Sequence, residues 1–130
     1  MPRVLVIDDQ ADVRIMVSIV LRIHRYDVVE AASATEGLRA FEADTFDLVI
    51  VDVFLQDTSG IDVITQMRER VPDLPAVAIS GMTALDFVNH APGLTGVVGM
   101  QKPFRPKDLM AAIAQACSAV RPPAAELKAG

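Results

Sequence analysis

Tryptophan is absent from this 130-residue chain, and tyrosine and cysteine each occur once. The lone Cys117 excludes an internal disulfide framework. It falls in a helical stretch with no basic neighbour to activate its thiol, so packing is its expected role. His24 and His90 have no carboxylate or cysteine partner at ligand spacing, and zinc is not expected. Long apolar runs are also missing. None approaches the ~20 residues needed to cross a bilayer, and Met1-Pro2-Arg3 leads directly into a strand-like run with no leader peptide. A cytoplasmic chain that does not enter a membrane is the expectation. Nor is there a Lys/Arg cluster: 17 acidic residues stand against 12 basic ones, for a net charge of −5. Direct contact with a nucleic-acid backbone is therefore not expected. What remains is a chain with 52% hydrophobic residues, enough to exclude disorder and to fill one domain core.

Two kinds of segment alternate. Val- and Ile-rich runs at Arg3–Ile7, Asp47–Val51, Ala76–Ile79 and Val97–Met100 read as buried strands, with Tyr26–Glu30 as a weaker edge strand. Helical patterns occupy Ala11–His24, Ala34–Ala43, Gly60–Arg70, Thr83–Ala91 and Pro106–Val120. Ser33 with Glu36 three residues on is a capping box, Thr83 with Asp86 repeats that spacing, and Pro106 suits a first helical turn. Five strands alternating with five helices predict an α/β fold, a (βα)5 doubly wound five-stranded parallel sheet between two helical layers. The domain is expected over residues 1–120, with 121–130 (RPPAAELKAG) as a flexible tail or truncated linker.

In such sheets ligands bind beyond the carboxyl ends of the strands, at the switch point in strand order. That rule selects Asp8 and Asp9 after the first strand, Asp52 after the third, Ser80 after the fourth and Lys102 after the fifth. Taken singly, Asp9 reads as a helix cap, Ser80 as a loop hydroxyl and Lys102 as a solvated charge. Asp52 resists such a reading, because it ends the apolar run Leu48-Val49-Ile50-Val51. Three carboxylates, a hydroxyl and an ammonium meeting at one sheet edge make chemical sense together. The carboxylates would repel one another without a hard divalent cation, and Mg²⁺ takes carboxylate, water and phosphate oxygens. One carboxylate can then attack phosphorus to give an acyl phosphate, while Lys102 and Ser80 contact the other oxygens of the transferred group.

VLVIDD ending at Asp8-Asp9, LVIVD ending at Asp52, Gly60 closing the following loop, Ser80 in AIS and Lys102-Pro103-Phe104 occur in the order and spacing of response-regulator receivers. Over Arg3–Val120 the chain resembles that family of two-component and phosphorelay signalling. The resemblance implies a flavodoxin-like three-layer sandwich with Asp52 as phosphoacceptor. Asp8, Asp9 and Asp52 would be Mg²⁺ ligands, joined by the backbone carbonyl of Phe54. Ser80 and Lys102 would contact the phosphoryl group, and the Lys102-Pro103 bond would be cis. It also implies a sensor histidine kinase or histidine phosphotransferase as partner, and no enzymatic activity beyond the chain's own phosphorylation and dephosphorylation.

Three positions depart from the family pattern. Gly99 stands where receivers usually carry Tyr or Phe, so an aromatic–hydroxyl switch cannot operate as such, and output is expected through Ser80 and the following loop. Gln56 stands where proline is common, which predicts a less rigid loop after Asp52. Phe54 and Met82 occupy positions that tune phosphoryl lifetime in receivers; both are apolar, so slow self-dephosphorylation is expected. The first helix is unusual too. Its apolar positions sweep about 240° of its circumference. Val13, Met16, Val17 and Val20 match core positions, and Arg14, Ser18 and Arg22 read as the wet side. Ile15, Ile19 and Ile23 form a second stripe, read either as covered by the last helix or as a contact for a partner's helical bundle or a second copy of the chain, a homodimer.

Competing readings are weaker. A haloacid-dehalogenase-like phosphatase needs an acid two residues after its nucleophile, and Phe54 and Gln10 stand there instead. A nucleotide or flavin site needs a Gly- or Ser/Thr-rich cradle after the first strand, and Asp8-Asp9-Gln10-Ala11-Asp12 would repel phosphate. The remaining alternative is a receiver-fold module that binds its partner regardless of phosphorylation, which Gly99 makes conceivable.

Overall fold

A computed structural model describes residues 1–81 and 96–119. The strands are β1 (Arg3–Ile7), β2 (Asp27–Ala31), β3 (Leu48–Asp52), β4 (Ala76–Ser80) and β5 (Val98–Gln101). The described helices are α1 (Ala11–Ile23), α2 (Ala34–Ala43), α3 (Gly60–Arg70) and α4 (Pro106–Ala119). The helix expected at Thr83–Ala91, with His90 and Met82, and the tail 121–130 lie outside the described residues. The expected strand limits move by one residue at four strands, mostly because parallel pairing extends past the last apolar side chain, as at Asp52 and Ser80.

All strands are parallel, in the order β2-β1-β3-β4-β5. Alternation along each strand divides the core in two. Val4, Val6, Leu48, Ile50, Val77 and Ile79 pack with Val17, Val20 and Leu21 of α1 and Leu109, Ile113 and Ala116 of α4. Leu5, Ile7, Val49, Val51, Ala76 and Ala78 pack on the other face with Phe41 of α2 and Val63, Ile64 and Met67 of α3. Because both faces are covered, β1, β3 and β4 read as continuous apolar runs rather than alternating ones.

Helix ends follow local chemistry. Ser33 caps α2 by accepting from the Glu36 N–H at 3.1 Å, as the capping box predicts. The N-cap of α1 is Gln10, not Asp9, which leaves the Asp9 carboxylate free of the capping role. Helix α1 closes with the Tyr26 N–H bonded to Leu21 O and the Arg25 N–H to Arg22 O. This is a Schellman motif with Arg25 at φ 67°, where glycine is usual.

The wet side of α1 requires a correction. Ser18 is fully buried and donates to Arg14 O at 2.8 Å, and Arg14 lies against Glu30 at 3.3 Å. Arg22 is exposed as expected, and Ile15, Ile19 and Ile23 face solvent as well, exposed by 49%, 51% and 72%. Helix α4 does not cover these isoleucines. Packing α1 on the face of the sheet formed by β1 and β2 turns Ser18 inward, where its hydroxyl is satisfied by its own helix.

Candidate functional site

Helices α1 and α3 leave neighbouring strands β1 and β3 toward opposite faces of the sheet, which opens a crevice at the carboxyl ends of these two strands. Asp8, one residue past β1, and Asp52, the last residue of β3, are carried into it and are only 2% and 4% exposed. Each is held by the backbone two residues on. The Gln10 N–H donates to Asp8 Oδ1 at 2.9 Å, and the Phe54 N–H to Asp52 Oδ1 at 3.0 Å. Half-buried Asp9 completes the group, with one carboxylate oxygen of each residue within 4.8 Å of the others.

Lys102 enters from the loop after β5. Its ammonium donates to Asp52 Oδ2 at 3.0 Å and to Gln10 Oε1 at 2.8 Å, and lies 3.2 Å from Asp8 Oδ2. It is not a solvated surface charge. Its backbone N–H donates to Ser80 O at 2.7 Å, and the Lys102-Pro103 bond is cis, as expected.

One ammonium does not balance three carboxylates. Burial, with the nearby charge of Asp52, pushes the Asp8 carboxyl up to about 6, against the opposing pull of the Gln10 N–H and Lys102. Burial alone would pull Lys102 down, but its hydrogen bond to Asp52 and the charges of Asp8 and Asp52 outweigh that and raise it. Asp8 Oδ2 is buried and accepts no hydrogen bond. A buried oxygen left so, beside two more carboxylates, is the donor set of a hard cation, and the residues present fit a metal ion.

The cleft, of about 350 Å³, is lined by Asp9, Gln10, Asp52, Phe54, Gln56, Gly81 and Lys102. Ser80 ends β4 beside Gln101 and is fully buried, so that Gly81 rather than Ser80 reaches the cleft surface. Gly99 sits in β5 opposite Ala78. The loop after Asp52 is closed at its base by an antiparallel bridge between Phe54 and Ser59 and by the Gly60 N–H bonded to Val53 O at 2.7 Å. A Cβ on Gly60 would overlap the Asp52 carbonyl oxygen and lie 2.8 Å from its carbon. Glycine is therefore the residue that lets α3 start against the end of β3.

Three polar contacts were not legible in the sequence. Gln10 shares Lys102 with Asp52. Arg14 donates to Asp8 O at 2.8 Å. Asp57 crosses to the start of α2, accepting from the N–H groups of Ala34 and Thr35 and from the Thr35 hydroxyl, each at 3.1 Å. All three join segments distant in sequence or rest on side-chain direction, and no local motif announces them.

An acidic trio, two of its members buried, with a lysine bound to one carboxylate, at the switch point of a parallel sheet, defines a class of phosphoacceptor-type sites. Comparison with known proteins agrees. The response regulator receiver domain model matches residues 4–114. The DNA-binding response regulator MtrA of Mycolicibacterium paratuberculosis is 34% identical over 113 residues, 85% of this chain and 49% of that protein. A receiver domain protein of Clostridium thermocellum superposes with a TM-score of 0.81 at 30% identity, covering 91% of this chain and 95% of that one. A CheY-like receiver domain protein of Methanospirillum hungatei gives 0.83 at 25% identity, covering 92% and 96%. The chain belongs to the response regulator receiver domain family, the phosphoacceptor modules of two-component signalling. It spans about half or less of the length of the curated relatives it matches. Among the described residues no helix is long and apolar enough to cross a membrane.

Proposed function

We propose that Asp52 accepts a phosphoryl group in a Mg²⁺-dependent reaction and that the chain acts only on itself. The observation that carries this reading is the Asp8–Asp9–Asp52 cluster with Lys102 hydrogen-bonded to Asp52. An Asp52 carboxylate oxygen forms the new P–O bond while the bond from phosphorus to the donor breaks, and the donor atom keeps the electron pair. Lys102, already poised on Asp52, pairs with the phosphoryl oxygens, and the Ser80 hydroxyl bonds one of them. Asp8, Asp9, Asp52 and the carbonyl of Phe54 would hold Mg²⁺, which neutralises charge on the group in transfer. The protein donor is a histidine kinase or histidine phosphotransferase whose helical bundle docks on Ile15, Ile19 and Ile23. Output passes through Ser80 and the loop that follows, since Gly99 offers no aromatic ring to move.

Intact mass after incubation with Mg²⁺ and acetyl phosphate tests this reading. One added phosphoryl group is expected, absent without Mg²⁺ and absent in Asp52→Ala. If neither acetyl phosphate nor beryllofluoride with Mg²⁺ alters the protein, the reading gives way to a module that binds its partner without phosphorylation, which Gly99 would then explain.

A further inference from the structure

The loop from Val53 to Ser59 carries two elements of the site, the Phe54 N–H on Asp52 Oδ1 and the Phe54 carbonyl assigned above to the metal. Its base is closed by the Phe54–Ser59 bridge. Leu55 anchors the loop in the core, but the tip beyond it is open: Gln56 and Asp57 are both exposed, and Gln56 lacks the fixed φ of a proline. The Asp57 carboxylate ties this exposed tip to a second element. Oδ1 accepts from the Ala34 N–H, and Oδ2 accepts from both the N–H and the hydroxyl of Thr35. These donors belong to the first turn of α2, more than twenty residues away in sequence. Ser33, the N-cap, meanwhile satisfies a different amide, that of Glu36. The first turn of α2 thus has two independent caps, one local and one supplied by the site loop. The three bonds and the end of the helix dipole hold the Asp57 carboxyl below the usual carboxylate range.

We infer that Asp57 is a positioning residue, which locks the loop after Asp52 onto the first turn of α2 and thereby shapes the cation site at Asp8, Asp9 and Asp52. The inference rests on the Mg²⁺ reading above and adds a reciprocal link. If the clamp favours the cation-binding shape of the loop, cation binding must in turn tighten the clamp, since coupling free energies are symmetric. Groups that orient metal ligands without touching the metal commonly change affinity by about ten- to a hundredfold.

The test uses Mg²⁺ alone as probe, followed through backbone amide resonances of the intact chain. In the unsubstituted protein, Mg²⁺ should slow hydrogen exchange at the Ala34 and Thr35 amides as it saturates the site. Asp57→Ala should weaken Mg²⁺ on the order of tenfold, with Asp57→Asn partway between. Ser33→Ala is the discriminating control, because it removes a cap from the same helix without touching the loop. It should lower thermal stability and leave Mg²⁺ affinity unchanged. Equal Mg²⁺ affinities for Asp57→Ala and the unsubstituted chain would overturn the inference while leaving the metal reading intact. Equal weakening by Ser33→Ala would reduce Asp57 to a helix cap and overturn it too. Absence of Mg²⁺ binding in the unsubstituted chain would overturn both.

Discussion

Asp8 is the residue at which burial and charge conflict most directly, and replacing it with asparagine should stabilise the metal-free protein at neutral pH. Its carboxyl ordinarily titrates at 3.8 and is pushed to about 6 in the folded chain. At about 1.4 kcal/mol per pH unit, ionising Asp8 costs the folded state about 3 kcal/mol relative to the unfolded chain. The sign follows from proton counting. Between pH 4 and 6 the folded state holds the proton longer than the unfolded state, so the cost is absent below the unfolded value, grows as pH rises, and is complete above about 6. Asparagine keeps an oxygen for the Gln10 N–H and has nothing to ionise. Urea unfolding in EDTA should therefore show Asp8→Asn gaining on the original chain by about 3 kcal/mol between pH 4 and 7. Mg²⁺ should reverse the ranking: at a thousand times its dissociation constant it stabilises the original chain by about 4.1 kcal/mol and the variant much less. A stability difference that stays flat from pH 4 to 7 would refute the assignment of strain to the Asp8 charge.

Gly60→Ala should destabilise by about 3 kcal/mol in chemical denaturation, since its Cβ meets backbone rather than a movable side chain; a change below a few tenths would refute the close-approach argument. Arg25→Gly should stabilise by about 0.5–1 kcal/mol, the relief at φ 67° exceeding the added freedom of the unfolded chain, as read from the thermal midpoint. Phe54 is 57% exposed at the cleft, and Phe54→Asn should hasten loss of the phosphoryl group about tenfold by orienting water; equal decay rates would sink this. Ile19→Glu should block transfer from a protein donor yet spare labelling by acetyl phosphate, and loss of both would mean misfolding rather than a lost contact.

Much of this was written locally. Strand and helix identity followed from apolar periodicity because sheet pairing and helix packing impose periods of 2 and 3.6 on side chains. The candidate site residues were legible because each ends or follows a strand as a polar residue that packing alone does not explain. The first helix shows where this fails. Its apolar arc is too wide for one core face, so sequence could not tell which edge is wet, and Ser18 was assigned outward although it is fully buried. A serine that returns its hydrogen bond to its own helix looks, in sequence, like any exposed polar residue. The end of α1 was legible to within a residue, but its αL position was not, because Arg25 occupies a place that glycine would have marked.

The sequence by itself determined the alternating architecture, the capping of α2 and the candidacy of Asp8, Asp9, Asp52, Ser80 and Lys102, since each depends on residue type and spacing along the chain. Only the tertiary structure decided that Lys102 rests on Asp52 and Gln10, that Asp8 is strained by burial, that Ile15, Ile19 and Ile23 lie open, and that Asp57 ties the loop to α2. Those features arise where separate segments meet, and desolvation, charge proximity and side-chain direction have no value until the chain has folded.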